Sequence, residues 1–294
     1  GTSEELEDKG IQVVSEHPIV VYSHIYSQNR SGATLVLPTN TLGREYFATS
    51  YQPHTNGQYA EFMVVATEDN TLVEITPKAA TRGGKAANVP FQVSLSKGQV
   101  YQVQSASDLT GSKIISVSSG GSDCKKIAVF SGNSFVALGC NGAGSGDNLY
   151  QQLYPLSTWG SNFVTAPLKT RTGGDVFRVL AAQPNTVVTI NGNNQTLNAG
   201  EYYEFISAIP NYITANQPIT LLQYARTQSC DNVTGDPEMI ILNPVEQTLT
   251  DITLYSSPYF MITGHYINVV IKTEAASSFR LDGQPITFTP VAAN

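Results

Sequence analysis

The sequence predicts an all-β fold of three repeated units. Each unit has about eight antiparallel strands in a β-sandwich or jelly-roll-like body, with a propeller-like arrangement of four-stranded sheets as the alternative. Three observations carry this prediction. A degenerate segment, clearest at residues 126–160 (KIAVFSGNSFVALGCNGAGSGDNLYQQLYPLSTWG), recurs at residues 18–43 and 218–247. Each copy runs from a β-branched strand through a polar loop to a second strand closed by proline, and repetition of this kind governs a fold. The apolar runs are short and bounded by Gly, Pro, Asn and Asp, with no amphipathic helical stretch. Charged residues make up 13% of the 294, about half the usual share. That balance suits sheets joined by uncharged polar loops, and it is commoner outside the cell than in the cytosol.

Residues 1–10 read as a flexible acidic terminus. Their start, GTSEELEDKG, opens on Gly rather than Met and reads as what remains after removal of an export signal. The three units cover residues 11–110, 111–210 and 211–294. Paired short strands are expected at residues 11–14 with 18–23, 113–117 with 127–131, and 212–215 with 219–224. Pro18 and Pro218 head two of these strands, where no ladder donor is needed. Proline-ended strands follow at residues 35–38, 150–155 and 239–244. Phe62, Phe177 and Asn268 then lie 24, 22 and 24 residues beyond Pro38, Pro155 and Pro244. The segments starting there, FMVVATEDNTLVEI, FRVLAAQPNTVVTI and NVVIKTEAASSFRL, each read as strand, polar turn and strand, a hairpin pattern. Two copies continue into a further hairpin, residues 93–103 and 195–205, with Gly98 and Gly200 at the turn. The third copy stops at ITFTPVAAN with its last strand missing. The open edge this leaves is expected to be filled by a longer natural chain or by another segment.

The chemistry on offer is sparse. A net charge of -7 with 16 basic residues and no basic run leaves no phosphate-binding stripe, so nucleic acid is not an expected partner. No apolar run is long enough for a membrane-spanning helix. His17, His24, His54 and His265 are scattered, and no Cys/His cluster is present, so neither a metal nor another cofactor is expected. Three cysteines cannot all pair. Cys124 and Cys140 flank a strand and are the disulfide candidate; buried thiols are the other reading, and Cys140 and Cys230 occupy corresponding loop positions. Asp147 and Asp236 hold matching Gly-Asp positions in two long loops. Calcium would need six to eight oxygens, more than these loops supply, which favours an Asx-turn. Tyr51, His54, Tyr150 and Tyr154 are candidates for exposed contacts, since aromatic faces stack on sugars, and Trp159 is assigned to packing. The glycine-rich run GCNGAGSGDN has no following Lys or helix to cradle phosphate. Within it and before it, residues 134–147 form the loop whose length differs between copies, the candidate for recognition.

Five stretches carry a family resemblance: VLPTNTLGREYF (36–47), EFMVVATEDNTLVEI (61–75), YQVQSASDLTGSKI (101–114), IAVFSG (127–132) and NLYQQLYPLSTWG (148–160). Over about residues 11–264 the chain resembles the amino-terminal domain of the IgGFc-binding protein family, which includes bacterial secreted members. The resemblance implies a secreted or cell-surface, non-catalytic binding or adhesion module. The matched motifs are strand and turn residues, which speak to fold rather than to immunoglobulin recognition. Proteins of the family also carry cysteine-rich domains that self-cleave at Gly-Asp-Pro-His; here Gly235-Asp236-Pro237-Glu238 lacks the histidine and reads as a turn. The expected function is therefore extracellular recognition of a protein or glycoprotein ligand, a host or surface macromolecule, without catalysis. The alternative is a scaffold segment of a larger cell-envelope protein. A glycan-active enzyme, the remaining reading, requires two facing carboxylates about 5–9 Å apart.

Overall fold

A computed structural model describes residues 4–27, 29–118, 124–140, 145–256 and 263–291. The strands in chain order are β1 (Leu6–Glu7), β2 (Tyr22–Ser27), β3 (Arg30–Leu35), β4 (Glu45–Phe47), β5 (Ala60–Ala66) and β6 (Thr71–Thr76). There follow β7 (Phe91–Leu95), β8 (Val100–Ser105), β9 (Lys113–Val117), β10 (Ile127–Val136), β11 (Asp147–Gln152) and β12 (Gly160–Thr165). The last long ones are β13 (Asp175–Ala181), β14 (Thr186–Ile190), β15 (Asn193–Leu197), β16 (Tyr202–Ser207), β17 (Asn211–Ala225) and β18 (Glu238–Leu242). The fold is all-β; the helical pieces among the described residues are short 3-10 turns.

The first sandwich faces the sheet β4-β9-β6-β7 against the sheet β1-β8-β5-β10-β11. Alternation along β5 and β6 turns every second side chain inward. Tyr46, Phe62, Val64, Ile75, Ile114 and Val129 meet in one core drawn from both sheets. This is the sandwich arrangement, with the two sheets closing on each other.

The second sandwich is a single seven-stranded sheet folded over its long strand β17. The first half of β17 pairs with β12 and β14, and its second half with β13 and β18. In the first sandwich β9 and β10 divide this task, pairing with β6 and β5 respectively. The sequence suggests two strands at residues 212–215 and 219–224. They are continuous here, with the exposed Asn216, Gln217 and Pro218 at the crossing from one half to the other. The two sandwiches therefore share one pairing pattern. Apart from β1, they occupy residues 45–152 and 160–242, so each crosses a boundary between the units expected from the sequence.

The expected hairpins do not form as such. The chain arches from one sheet to the other between β5 and β6 and again between β7 and β8, so that β6 pairs with β7 and β5 with β8. The turns carry left-handed Asn70 (φ 55) and Gly98 (φ 80), as hairpin turns would. An alternating strand reveals which of its faces is buried but not which sheet it joins. Residues 268–281 also depart from the expectation: they hold a 3-10 run, Thr273–Ser278, and then β19 (Arg280–Leu281), which pairs only with β20 (Gln284–Pro285).

The prolines that end the repeated strands have a common role. Pro38, Pro155 and Pro244 each precede a 3-10 turn, Thr39–Thr41, Leu156–Thr158 and Val245–Gln247. Gly43 lies against the ring of Pro155, and Gly160 against that of Pro244, so closely that a Cβ at either glycine would overlap the proline. Pro155 and Pro244 are thus each packed against a glycine more than 80 residues away in the chain.

One buried cation joins the two sandwiches. The Arg178 guanidinium, 3% exposed, donates from Nη1 to Asp108 at 2.7 Å, to the Ser50 carbonyl at 2.9 Å and to Thr110 Oγ1 at 3.0 Å, all of the first sandwich. Its Nε donates to Glu204 at 2.7 Å. The rings of Tyr51 and Tyr202 cover it, 4.0 and 4.3 Å from the guanidinium carbon. Burial raises the Asp108 pKa, but the Arg178 charge and hydrogen bonds from Thr110 and Ser50 outweigh it and hold the carboxyl below its ordinary value of 3.8. Its share of stability is thus present above about pH 4 and lost as pH falls further. Replacing Arg178 with Met leaves Asp108 buried without its cation and is expected to cost about 3–5 kcal/mol in urea unfolding; a loss within 0.5 kcal/mol of zero would remove this joint from the account.

Candidate functional site

The amino-terminal hairpin β2–β3 lies across the outward face of the first sandwich and bounds a cleft of about 780 Å³. Its floor is the outer side of β5, β10 and β11, and its wall is the hairpin. Phe130 and Tyr150, diagonal neighbours on paired strands, stack with centroids 5.8 Å apart and planes 15° from parallel. Gly132 stands opposite Tyr150 in the ladder, where a Cβ would strike the Leu149 carbonyl. Further along β10, Phe135 carries the Arg30 guanidinium 4.6 Å above its ring, and Arg30 Nη1 donates to the Ser134 carbonyl at 3.0 Å. Glu61, on β5, contributes a carboxylate at the edge of the floor and accepts from Gln102 at 3.2 Å and Gln104 at 2.8 Å; burial pushes its pKa up. Apolar ring faces beside a cation, an anion and amides form a surface able to bind a ligand that is part apolar and part hydroxylated.

Side chains of β11 lock the hairpin in place. Asp147 accepts from the Ser31 amide at 3.1 Å and from its own neighbour Asn148 at 2.7 Å. Gln152 accepts from the Leu37 amide at 2.8 Å, its own amide donates to Thr34 Oγ1 at 2.9 Å, and Ser23 and the Tyr150 hydroxyl lie 2.9 Å apart.

The sequence candidates are distributed around this cleft and beyond it. Tyr150 lines it. His54 sits at its margin, 6.2 Å from the Phe135 ring. Asp147 is buried behind it, and burial raises its pKa, an effect that the amides of Asn148 and Ser31 oppose and the charge of Asp236 reinforces. Asp236 itself is exposed. Tyr51 is in the joint between sandwiches, its hydroxyl donating to Glu204 at 3.1 Å and its pKa pushed up to about 12 by burial. Tyr154 is half-buried and offers its carbonyl to the Trp159 indole at 3.3 Å, while the Trp159 ring lies 5.8 Å from that of Phe47. Phe130, Phe135 and Arg30 were not singled out by the sequence reading. The alternation in IAVFSGNSFV signals Phe130 alone; Phe135, at an odd spacing from it, lines the same cleft beyond the register shift between Asn133 and Val136.

The disulfide expectation needs correcting. Cys140 pairs with Cys230, Cα atoms 5.3 Å apart, and Cys124 carries a free thiol. The ten residues of β10 lie between Cys124 and Cys140 and hold them roughly 30 Å apart along an extended strand. Cys140 and Cys230 are brought together by the matching loops of the two sandwiches, where Thr227 N donates to the Leu138 carbonyl at 2.7 Å and Ser145 Oγ to that of Gly235 at 2.9 Å. In the loop expected to carry recognition, residues 141–144 lie outside the described residues. No group of three acidic, His or Cys side chains among the described residues is placed to hold a metal ion.

Glu238 heads β18 beside this loop. Burial, reinforced by the Asp147 charge, pushes its pKa up to about 8. The folded state therefore holds a proton that the unfolded chain gives up near the ordinary 4.5, and stability contributed by this group falls as pH rises between the two values. Glu238→Gln is expected to remove that loss, so that its melting temperature exceeds the parent's at pH 8.5 and matches it at pH 4.5; equal melting curves at both would refute the assignment.

The family profile described as IgGFc binding protein matches residues 32–294. Over 290 residues the chain is 28% identical to the human IgGFc-binding protein, an alignment covering 94% of this chain and 5% of that relative. The chain thus spans about one-twentieth of the relative's length.

Proposed function

The chain belongs to the IgGFc-binding protein family, and from that membership and the cleft beneath β2–β3 we propose an extracellular binding protein that recognises a host or surface glycoprotein. The observation that carries the reading is the stacked Phe130–Tyr150 pair on the floor of a cleft edged by Arg30 and Glu61. Sugar rings present C–H faces to aromatic planes and hydroxyls to charged and amide groups, the mixture this cleft supplies. Secretion or cell-surface display accords with the low charge and with family membership. No helix among the described residues is long and apolar enough to cross a membrane. Adhesion is the proposed consequence of display on a surface. Glu61 is the sole carboxylate among the described residues lining the cleft, so the facing pair that a glycan-active enzyme needs is not assembled there.

A scaffold role within a larger cell-envelope protein is the second reading, favoured by the Arg178 joint and the Cys140–Cys230 bridge, which fix two sandwiches as a spacer. An array of glycans, mucins, matrix glycoproteins and immunoglobulin Fc separates the two. Binding to at least one probe is expected, and Phe130→Ala combined with Arg30→Ala should weaken it by about 2 kcal/mol, roughly thirtyfold, with the melting temperature as a control on folding. Silence across the array would leave the spacer reading.

A further inference from the structure

Two separate stretches of this chain look like the two halves of one sandwich. The first is the amino-terminal segment. Pro18-Ile19 repeats Pro218-Ile219 within β17, and β2 followed by β3, Pro38 and a 3-10 turn repeats β10 followed by β11, Pro155 and a 3-10 turn. Moreover β3 packs on β11, which packs on β18, so the three matching strands lie together. The second half is carboxy-terminal. The turn Asp282-Gly283 has both residues left-handed (φ 51 and 79), as Asn191-Gly192 does between β14 and β15 (φ 47 and 89). The ladders on either side agree in register: Leu281 pairs with Gln284 as Ile190 pairs with Asn193, and Arg280 with Pro285 as Thr189 with Asn194.

Each half lacks what the other has. In the complete sandwiches Ile127 and Ile219 are fully buried, while their counterpart Ile19 is 53% exposed. Tyr46 and Phe163 are likewise buried, and Ile252, at their position, is 63% exposed. Residues 11–20 and 263–272 belong to no ladder among those described. Yet the halves are neighbours: the rings of Tyr22 and Tyr255 are 6.4 Å apart.

We propose that residues 11–27 and 29–35 pair with residues 249–256 and 263–290 of the same chain as a third sandwich, the amino-terminal half taking the places of β9 to β11 and the carboxy-terminal half those of β4 to β7. Covering exposed apolar strands is the driving force. The register follows from the other two. Val64 pairs with Val129 and Val179 with Leu221, and the same positions in the third copy are Val270 and Val21. A lysine, Lys272, stands where Ala66 and Ala181 are buried, at the end of its strand, from which its stem can reach solvent.

Two measurements on the full chain test this. Amide hydrogen exchange should show residues 19–23 and 269–271 protected at least 100-fold over unstructured rates; exchange at unstructured rates would overturn the pairing. Mild oxidation of Val21→Cys/Val270→Cys in a Cys124→Ser background should give a bridge within one chain, seen by peptide mapping and by monomer mobility on a non-reducing gel. A bridge solely between chains would assign the partner to a second copy and refute closure within the chain, and no bridge at all would refute the register.

Discussion

A guanidinium buried between two β-sandwiches is tolerable only if its charge and its donors are met, and Arg178 meets them from both sides at once. Asp108, Thr110 and the Ser50 carbonyl come from one body, Glu204 and Tyr202 from the other, and Tyr51 closes over the top. That requirement fixes how the sandwiches face each other. The same arrangement places the loops bearing Cys140 and Cys230 within bonding reach. The cleft depends on the same geometry at one remove, since β11, which anchors the hairpin, also packs on β18 of the second body.

The all-β class was legible because the short apolar runs are bounded by residues with strict backbone demands. Pro38 and Pro155 each have a glycine five residues on, Gly43 and Gly160, and those glycines lie against Pro155 and Pro244, where a Cβ would not fit. What escaped was the assignment of strands to sheets. Leu72, Val73 and Ile75 announce an alternating strand, yet the same letters serve a hairpin or an arch, and only the presence of a facing sheet decides. The cysteines escaped for a related reason: nearness in sequence suggested Cys124 and Cys140, whereas an intervening extended strand separates them and matching loops of two bodies unite Cys140 with Cys230.

The site was legible in part. Tyr150 was visible as a surface aromatic, but its stacking partner Phe130 hid in an apolar run that looked like core, and Arg30 in a loop of ordinary composition. Tyr51 shows the converse. An aromatic outside a strand suggested a contact residue, and it covers a buried cation instead. Side chains that meet across about a hundred residues of chain leave no local signature.

The continuity of β17 bears on how the molecule carries force. Its fifteen residues hold four partner strands and lie inside the loop closed by the Cys140–Cys230 bridge, so tension drawn between the chain ends crosses the bridge and leaves those ladders unloaded. The first body divides the same ladders between β9 and β10, which can slip one after the other. A chain stretched between its two ends would therefore lengthen first on its amino-terminal side, where the cleft is, while most of the second body stays closed behind the bridge.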